Sequence, residues 1–196
     1  MSASPLELQS ARVRVWLPSS GEATNVLEYF KENRQFHAAT SPFFPEVFYT
    51  EEFWIGRLET SREEFDRDQS VRAFIALTSD PDKVIGSMSL SQIVRGPFQA
   101  CYLGYSLAKT AEGKGLMSES LALLIGYAFE TMRLHRIMAN YLPENERSGK
   151  VLTGLGFHTD GLSREYLFID GKWRDHVMTS LTNQNWQPRE SDRELF

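Results

Sequence analysis

Apolar positions along this chain recur with two periods, and the order of the periods predicts its elements. Residues 12–17, Arg-Val-Arg-Val-Trp-Leu, alternate polar and apolar as a half-buried strand does. A Pro18-Ser-Ser-Gly-Glu turn then leads into a short helix over residues 24–32. Thr50-Glu-Glu-Phe53 has the composition of a capped helix start, and that helix runs to about residue 66. Residues 71–77 return to alternation, with Arg72 and Phe74 on one face. A Ser79-Asp-Pro-Asp82 turn and two further strands, 84–93 and 97–107, complete an antiparallel meander.

The second half changes period. Over residues 114–132, Met117, Leu121, Leu124, Ala128 and Met132 form one stripe, and Leu116, Leu123 and Tyr127 a second. Apolar residues around most of the circumference predict a helix packed into the body of a sheet. Residues 135–141 read as a strand and 145–155 as a helix with Gly156 at its C-terminal cap. Residues 164–169 and 173–182 are strands around an Asp170-Gly171 hairpin turn. The tail from Gln184 is polar and expected to be loose. Residues 36–49 follow neither period; rich in aromatics and proline, they suit a packed loop between two helices that also floors a groove.

Length and composition narrow the class. A chain of 196 residues, 41% hydrophobic and 24% charged, suits one globular domain: a core over about 12–183 and a polar tail over 184–196. A formal net charge of -5 argues against broad nucleic-acid binding. The first ten residues lack the charge and apolar run of a signal peptide, and no apolar run approaches a membrane span, so a soluble cytoplasmic protein is expected. The single cysteine, Cys101, has no internal disulfide partner and reads as a small buried hydrophobe. Four scattered histidines lack ligand spacing, so no metal site is expected.

The candidate chemistry sits at residues 110–120, Thr-Ala-Glu-Gly-Lys-Gly-Leu-Met-Ser-Glu-Ser, between a strand and the long helix. Gly113 and Gly115 allow backbone N–H groups to point outward where the helix N-terminus adds its own donors, which suits a phosphate. A Gly-Lys-Gly turn by itself fits a helix entry without ligand equally well.

The order of strand, two helices, three meandering strands, helix, strand, helix and two strands resembles the GNAT superfamily of N-acetyltransferases. The marks are Gly113-Lys-Gly115 after the strand, Asn145-Glu-Arg-Ser148, and Leu155-Gly-Phe157. Residues 95–106, 135–140 and 169–176 look most similar to the RimJ/RimL group, which acetylates N-terminal amines of ribosomal proteins. The likeness implies an α/β (α+β) GNAT fold. Its central mixed, mostly antiparallel sheet has about seven strands and is flanked by about four helices, and a splayed strand pair holds acetyl-CoA.

Carried onto this chain, the resemblance implies pyrophosphate contact from backbone N–H groups of residues 111–116. Glu112, Gly113, Lys114, Gly115, Leu116 and Met117 then form the cofactor loop, and Lys109, Arg147 and Lys150 stand by to neutralise the nucleotide. Leu103, Gly104, Tyr105, Ser106 and Leu107 would pair with the pantetheine arm as an added strand, with Asn140 on the facing strand. An N–H near Tyr105 would polarise the thioester carbonyl. Asn145 and Ser148 fit both a helix cap and cofactor contact, with Ser148 near the sulfur. Ser148, Glu165 and Tyr105 are the catalytic candidates, Glu165 as the group that binds or deprotonates the amine.

The chain also departs from the pattern. Thr110 stands where the family's loop often carries Arg or Gln, and Asn140 and Leu152 stand where some N-terminal acetyltransferases carry a Glu base and a Tyr acid. An α-amine with a pKa of about 7.7–8.0 needs only weak help. The leading reading is acetylation of an Ala- or Ser-type N-terminus of a ribosomal protein by a monomer or homodimer, without nucleic acid or membrane. The alternatives are a small amine such as a polyamine or aminoglycoside, and a ribosome-assembly or regulatory binding protein on the same fold. An open groove around residues 43–49 and Glu165 would favour a peptide; a closed acidic pocket would favour a polycation.

Overall fold

The computed structural model describes residues 6–189. Eight strands form one sheet in the order β1-β2-β3-β4-β5-β6-β8-β7. They are β1 (Glu7–Gln9), β2 (Val13–Trp16), β3 (Val71–Leu77), β4 (Asp80–Val94), β5 (Ala100–Leu107), β6 (Arg136–Tyr141), β7 (His158–Ile169) and β8 (Lys172–Thr182). Four helices flank it: α1 (Ala23–His37), α2 (Glu51–Asp66), α3 (Leu116–Glu130) and α4 (Glu146–Gly154). The extra strand relative to the expected seven is β1, three residues long and thus too short to show a period.

Local chemistry explains most boundaries. The Thr50 hydroxyl accepts the Phe53 N–H and starts α2. Helix α4 ends in a Schellman motif: Phe157 N–H donates to Leu152 O and Gly156 N–H to Thr153 O, with Gly156 at φ +87°. Asp170 and Gly171, both at positive φ, make the two-residue turn between β7 and β8. The β3–β4 turn is tighter than the Ser79–Asp82 expectation, because Leu77 already pairs with Asp80. Helix α1 runs five residues past its expected end, where Asn33 is held by Lys109 of a distant segment and His37 meets Tyr29 two turns back.

One continuous apolar core fills the space between sheet and helices. Trp54, Tyr29, Phe74, Leu58, Leu121, Leu124 and Ile137 are almost wholly buried there. Cys101 lies in this core, and burial pushes its thiol up to about 12, so it is inert as a nucleophile. The segment after β8 is held rather than loose as far as residue 187. Trp186 donates its indole N–H to Arg133 O, and Arg133 donates back to Gln187 O. The rest of the polar tail, residues 190–196, lies outside the described residues.

Candidate active site

All neighbouring strands pair antiparallel except β5 and β6, which pair parallel. Their register runs from Ala100↔Arg136 to Leu103↔Ala139 and stops there, although β5 continues to Leu107 and β6 to Tyr141. Beyond Leu103 and Ala139 the strands part, while each keeps its outer partner: β4 for β5, and β8 for β6. The edge from Gly104 to Leu107 therefore faces a gap with backbone groups free to pair with an extended ligand.

Directly after β5 the chain makes one tight turn at Lys109–Ala111 and enters α3 through Gly113 and Gly115, both at φ +74°. A side chain at either position would be strained in this left-handed conformation. The Ala111 and Glu112 N–H groups, expected to face phosphate, instead close the turn onto Ala108 O and Lys109 O. No N–H from Gly113 to Ser118 donates to a described residue outside the helix. The N–H groups left open at the positive end of α3 are therefore those of residues 113 to 118. The side chains of Leu116 and Met117 point into the core, so only their backbone could serve a ligand.

Long-range contacts set this loop. Arg12 donates to Lys114 O at 3.0 Å and ion-pairs with Glu119, which also accepts the Ser10 hydroxyl. Buried Asn33 of α1 accepts the Lys109 N–H. Lys114 caps Thr110 O at 2.8 Å. Arg147 pairs with Glu112, and both Arg147 and Lys109 lie 5.8 Å from the Phe36 ring centroid. Neither Ser10 nor Asn33 stood out in the sequence, and nothing there tied Arg12 or Phe36 to this loop.

Across the gap, Asn145 caps α4 by accepting the Ser148 N–H at 3.2 Å. Ser148 O accepts the Tyr105 hydroxyl at 3.3 Å, joining β5 to α4; burial pushes that phenol up to about 12. Tyr105, Ser148 and Asn145 are thus brought together, with half-buried Asn140 on β6. Leu152, at the position of the family's tyrosine acid, is 1% exposed in the core.

Glu165 is placed elsewhere. It lies exposed at a bulge of β7 with φ +46°, its N–H donating to Asp175, and it does not line the groove described next. Arg174 pairs with Glu144, and buried His176 faces Arg174 O.

The groove, about 590 Å³, opens beside Gly104, Tyr105 and Ser106. Its wall is the 36–49 segment, where Phe44 stacks on Phe48 at 4.1 Å while Phe43 stays 84% exposed. The packed-loop and groove-floor readings of that segment therefore hold together. Charged groups on the lining are Arg34, paired with Glu46, then Arg72, and Asp170 at the β7–β8 turn.

One hydrogen-bonded chain leaves the groove through its floor. Ser87 Oγ, Ser106 Oγ and Tyr29 Oη are spaced at 2.8 Å each, and Tyr29 Oη meets His37 Nε2 at 3.3 Å. Burial pushes the Tyr29 phenol up to about 12 and holds the His37 imidazolium below its usual value, so His37 is neutral near pH 7. Among the described residues no group of His, Cys, Asp and Glu could hold a metal ion, and no helix is long and apolar enough to cross a membrane.

These features have close parallels in known proteins. An acetyltransferase (GNAT) domain model matches residues 12–158. The ribosomal protein uS5-alanine N-acetyltransferase of Escherichia coli (strain K12) is 42% identical over 183 residues, covering 93% of this chain and 94% of the relative. The crystal structure of the ribosomal-protein-S5-alanine acetyltransferase from Vibrio fischeri superposes with a TM-score of 0.90 at 37% identity, covering 93% of this chain and all of that one. Mycobacterium smegmatis RimJ in complex with CoA-disulfide shares the fold, with a TM-score of 0.83 at 24% identity over 98% of this chain and 91% of its own. With a splayed β5–β6 pair, a double-glycine helix entry and these relatives, the chain belongs to the GNAT family of acetyltransferases.

Proposed function

We propose that the protein transfers the acetyl group of acetyl-CoA to the N-terminal α-amine, of Ala or Ser type, of a ribosomal protein. The observation that carries the acceptor class is the groove: open, aromatic, and without the cluster of carboxylates that a polycation needs, since Arg34 is paired with Glu46 and the lining adds Arg72 against Asp170. A polycation would meet Arg72 there, whereas an extended peptide finds both apolar wall and polar floor. The relatives from Escherichia coli and Vibrio fischeri, named for the S5 alanine acceptor, support the same class.

The unpaired N–H groups of residues 113–118 and the open β5 edge fit a pyrophosphate followed by a peptide-like arm. Acetyl-CoA would supply an activated acyl group whose leaving thiol, close in acidity to a cysteine at about 8.5, needs little help to depart as thiolate. The open edge at Gly104–Ser106 holds the thioester carbonyl for attack and offers it backbone donors. Tyr105, bonded to Ser148 O, fixes α4 beside β5. As the amine attacks, it releases a proton; Ser106 takes it while passing its own through Tyr29 to neutral His37, which ends as imidazolium. This route uses no carboxylate, in keeping with Asn140 on β6 and with Glu165 outside the groove.

Thiol release from acetyl-CoA tests the reading with three acceptors: an Ala-starting peptide, its N-blocked Lys-containing twin, and spermidine. Turnover on the free Ala peptide alone is expected. Turnover on spermidine alone would overturn it, and binding of acetyl-CoA without turnover on any acceptor would favour a binding protein.

A further inference from the structure

Arg72 is the anomaly of the groove. It sits on β3 in register with Ser89 of β4, and Ser89 is in register with Gly104 of β5. Cross-strand partners share a face, so Arg72, Ser89 and Gly104 form one row on the groove floor. Arg72 is half-buried, it donates no hydrogen bond to any described residue, and its Nε is buried without a partner.

Nearby carboxylates do not satisfy it. Glu64 acts on its charge but is held by Arg57 through two bonds of 3.0 and 2.8 Å, and it also accepts the Ser70 hydroxyl at 2.6 Å. Arg34, the other arginine of the lining, is neutralised by Glu46, and Asp170 belongs to the β7–β8 turn. Burial and then the Arg57 charge draw the Arg72 guanidinium down to about 10, which leaves it cationic at neutral pH. A half-buried cation with unused donors is costly unless a ligand supplies the acceptors.

We infer that Arg72 recognises a carboxylate side chain within the first four residues of the acceptor. The inference rests on the peptide-acceptor reading above. A guanidinium fork fits a carboxylate through two parallel bonds, which a lone backbone carbonyl cannot match. Two interstrand spacings separate Arg72 from Gly104, roughly 9–10 Å, and an extended chain advances about 3.3 Å per residue. An acceptor whose amine reaches the Gly104–Ser106 edge therefore brings its second to fourth side chains over Arg72.

The test uses Ala-starting peptides with one Glu at the second, third or fourth residue, each beside its Gln twin. The wild-type protein is expected to favour Glu in kcat/KM by at least about tenfold at one position, the scale of a charge-assisted hydrogen-bonded pair. R72Q should abolish the preference for Glu over its Gln twin; R72K, which keeps the charge but loses the fork, should fall between. Equal turnover of the twins at every position in wild type, or a Glu preference that survives R72Q and R72K, overturns the assignment. So does a loss in R72Q that is equal for both twins and tracks a fall in Tm, since that marks a structural role. No turnover on any peptide, with acetyl-CoA still bound, overturns the acceptor reading itself and is distinct from equal turnover.

Discussion

In the proposed proton route the chemistry rests on two single side chains of α1, His37 and Tyr29, the second of which meets Ser106 of a distant strand. Neither belongs to a motif, and Tyr29 is 1% exposed, yet together they connect Ser106 to a neutral imidazole. Removing the bridge with Y29F is expected to lower kcat on an Ala-starting peptide by about tenfold or more, with KM for acetyl-CoA unchanged, since proton transfer contributes at least that much. The pH dependence separates this from a packing effect. The acceptor ammonium, at about 7.7–8.0, bends kcat/KM on the acid side in wild type and variant alike. Wild type should show a second, steeper fall below the ordinary histidine value of about 6.5, because burial favours neutral His37, and H37A should lack it. A steady-state profile from pH 5 to 9 measures both, and identical profiles would remove His37 from the proton route.

At the scale of the element, the strand-to-helix entry at Gly113 and Gly115 is the clearest case of sequence specifying shape. Both glycines take φ +74°, as two glycines at such a turn foretell. A Cβ at Gly113 would touch nothing within 4 Å, so G113A tests conformation alone. Left-handed backbone costs an L-residue roughly 1–2 kcal/mol. G113A is expected to lower stability by about that amount in urea unfolding and to raise KM for acetyl-CoA several-fold while leaving kcat near wild type. Unchanged acetyl-CoA affinity would detach the loop from cofactor binding. By contrast, the sequence did not show that the 109–111 turn consumes the N–H groups of Ala111 and Glu112. The bulge that turns Glu165 out to solvent was equally hidden, since it is a mismatch in pairing between β7 and β8 and not a property of either strand.

For the molecule as a whole, the Arg57–Glu64 pair within α2, joined by the Ser70 hydroxyl just before β3, shapes the response to acid. The Arg57 fork, with help from the Ser70 hydroxyl, pulls the Glu64 carboxyl from 4.5 to about 2. A depressed carboxyl stabilises the fold above its unfolded pKa and loses that contribution as pH falls from about 4.5 toward 2. His37 acts in the same direction at higher pH, because the unfolded chain binds its proton more readily than the fold does. Tm is therefore expected to decline below about pH 6.5 and more steeply below about 4.5. E64Q should lower Tm at pH 7 and flatten the lower limb; a parallel curve would show that Glu64 carries none of the acid response.

What the sequence by itself determined is local. Alternation along β2 and β3, the apolar circumference of α3, the caps at Thr50 and Asn145, and the turn glycines all follow from forces acting within a few residues. The helix and strand order that these define, together with Gly113-Lys-Gly115, Asn145-Glu-Arg-Ser148 and Leu155-Gly-Phe157, indicated the family. Tertiary structure alone decided which residues meet in the groove. Arg72 reaches the same row as Gly104 only through two strand registers, Arg12 holds a loop 102 residues away, and Tyr29 finds Ser106 across 77 residues. Such partners are chosen by how one buried face of the sheet closes against α1 and α2. That is a property of the packed core, which no window of sequence contains.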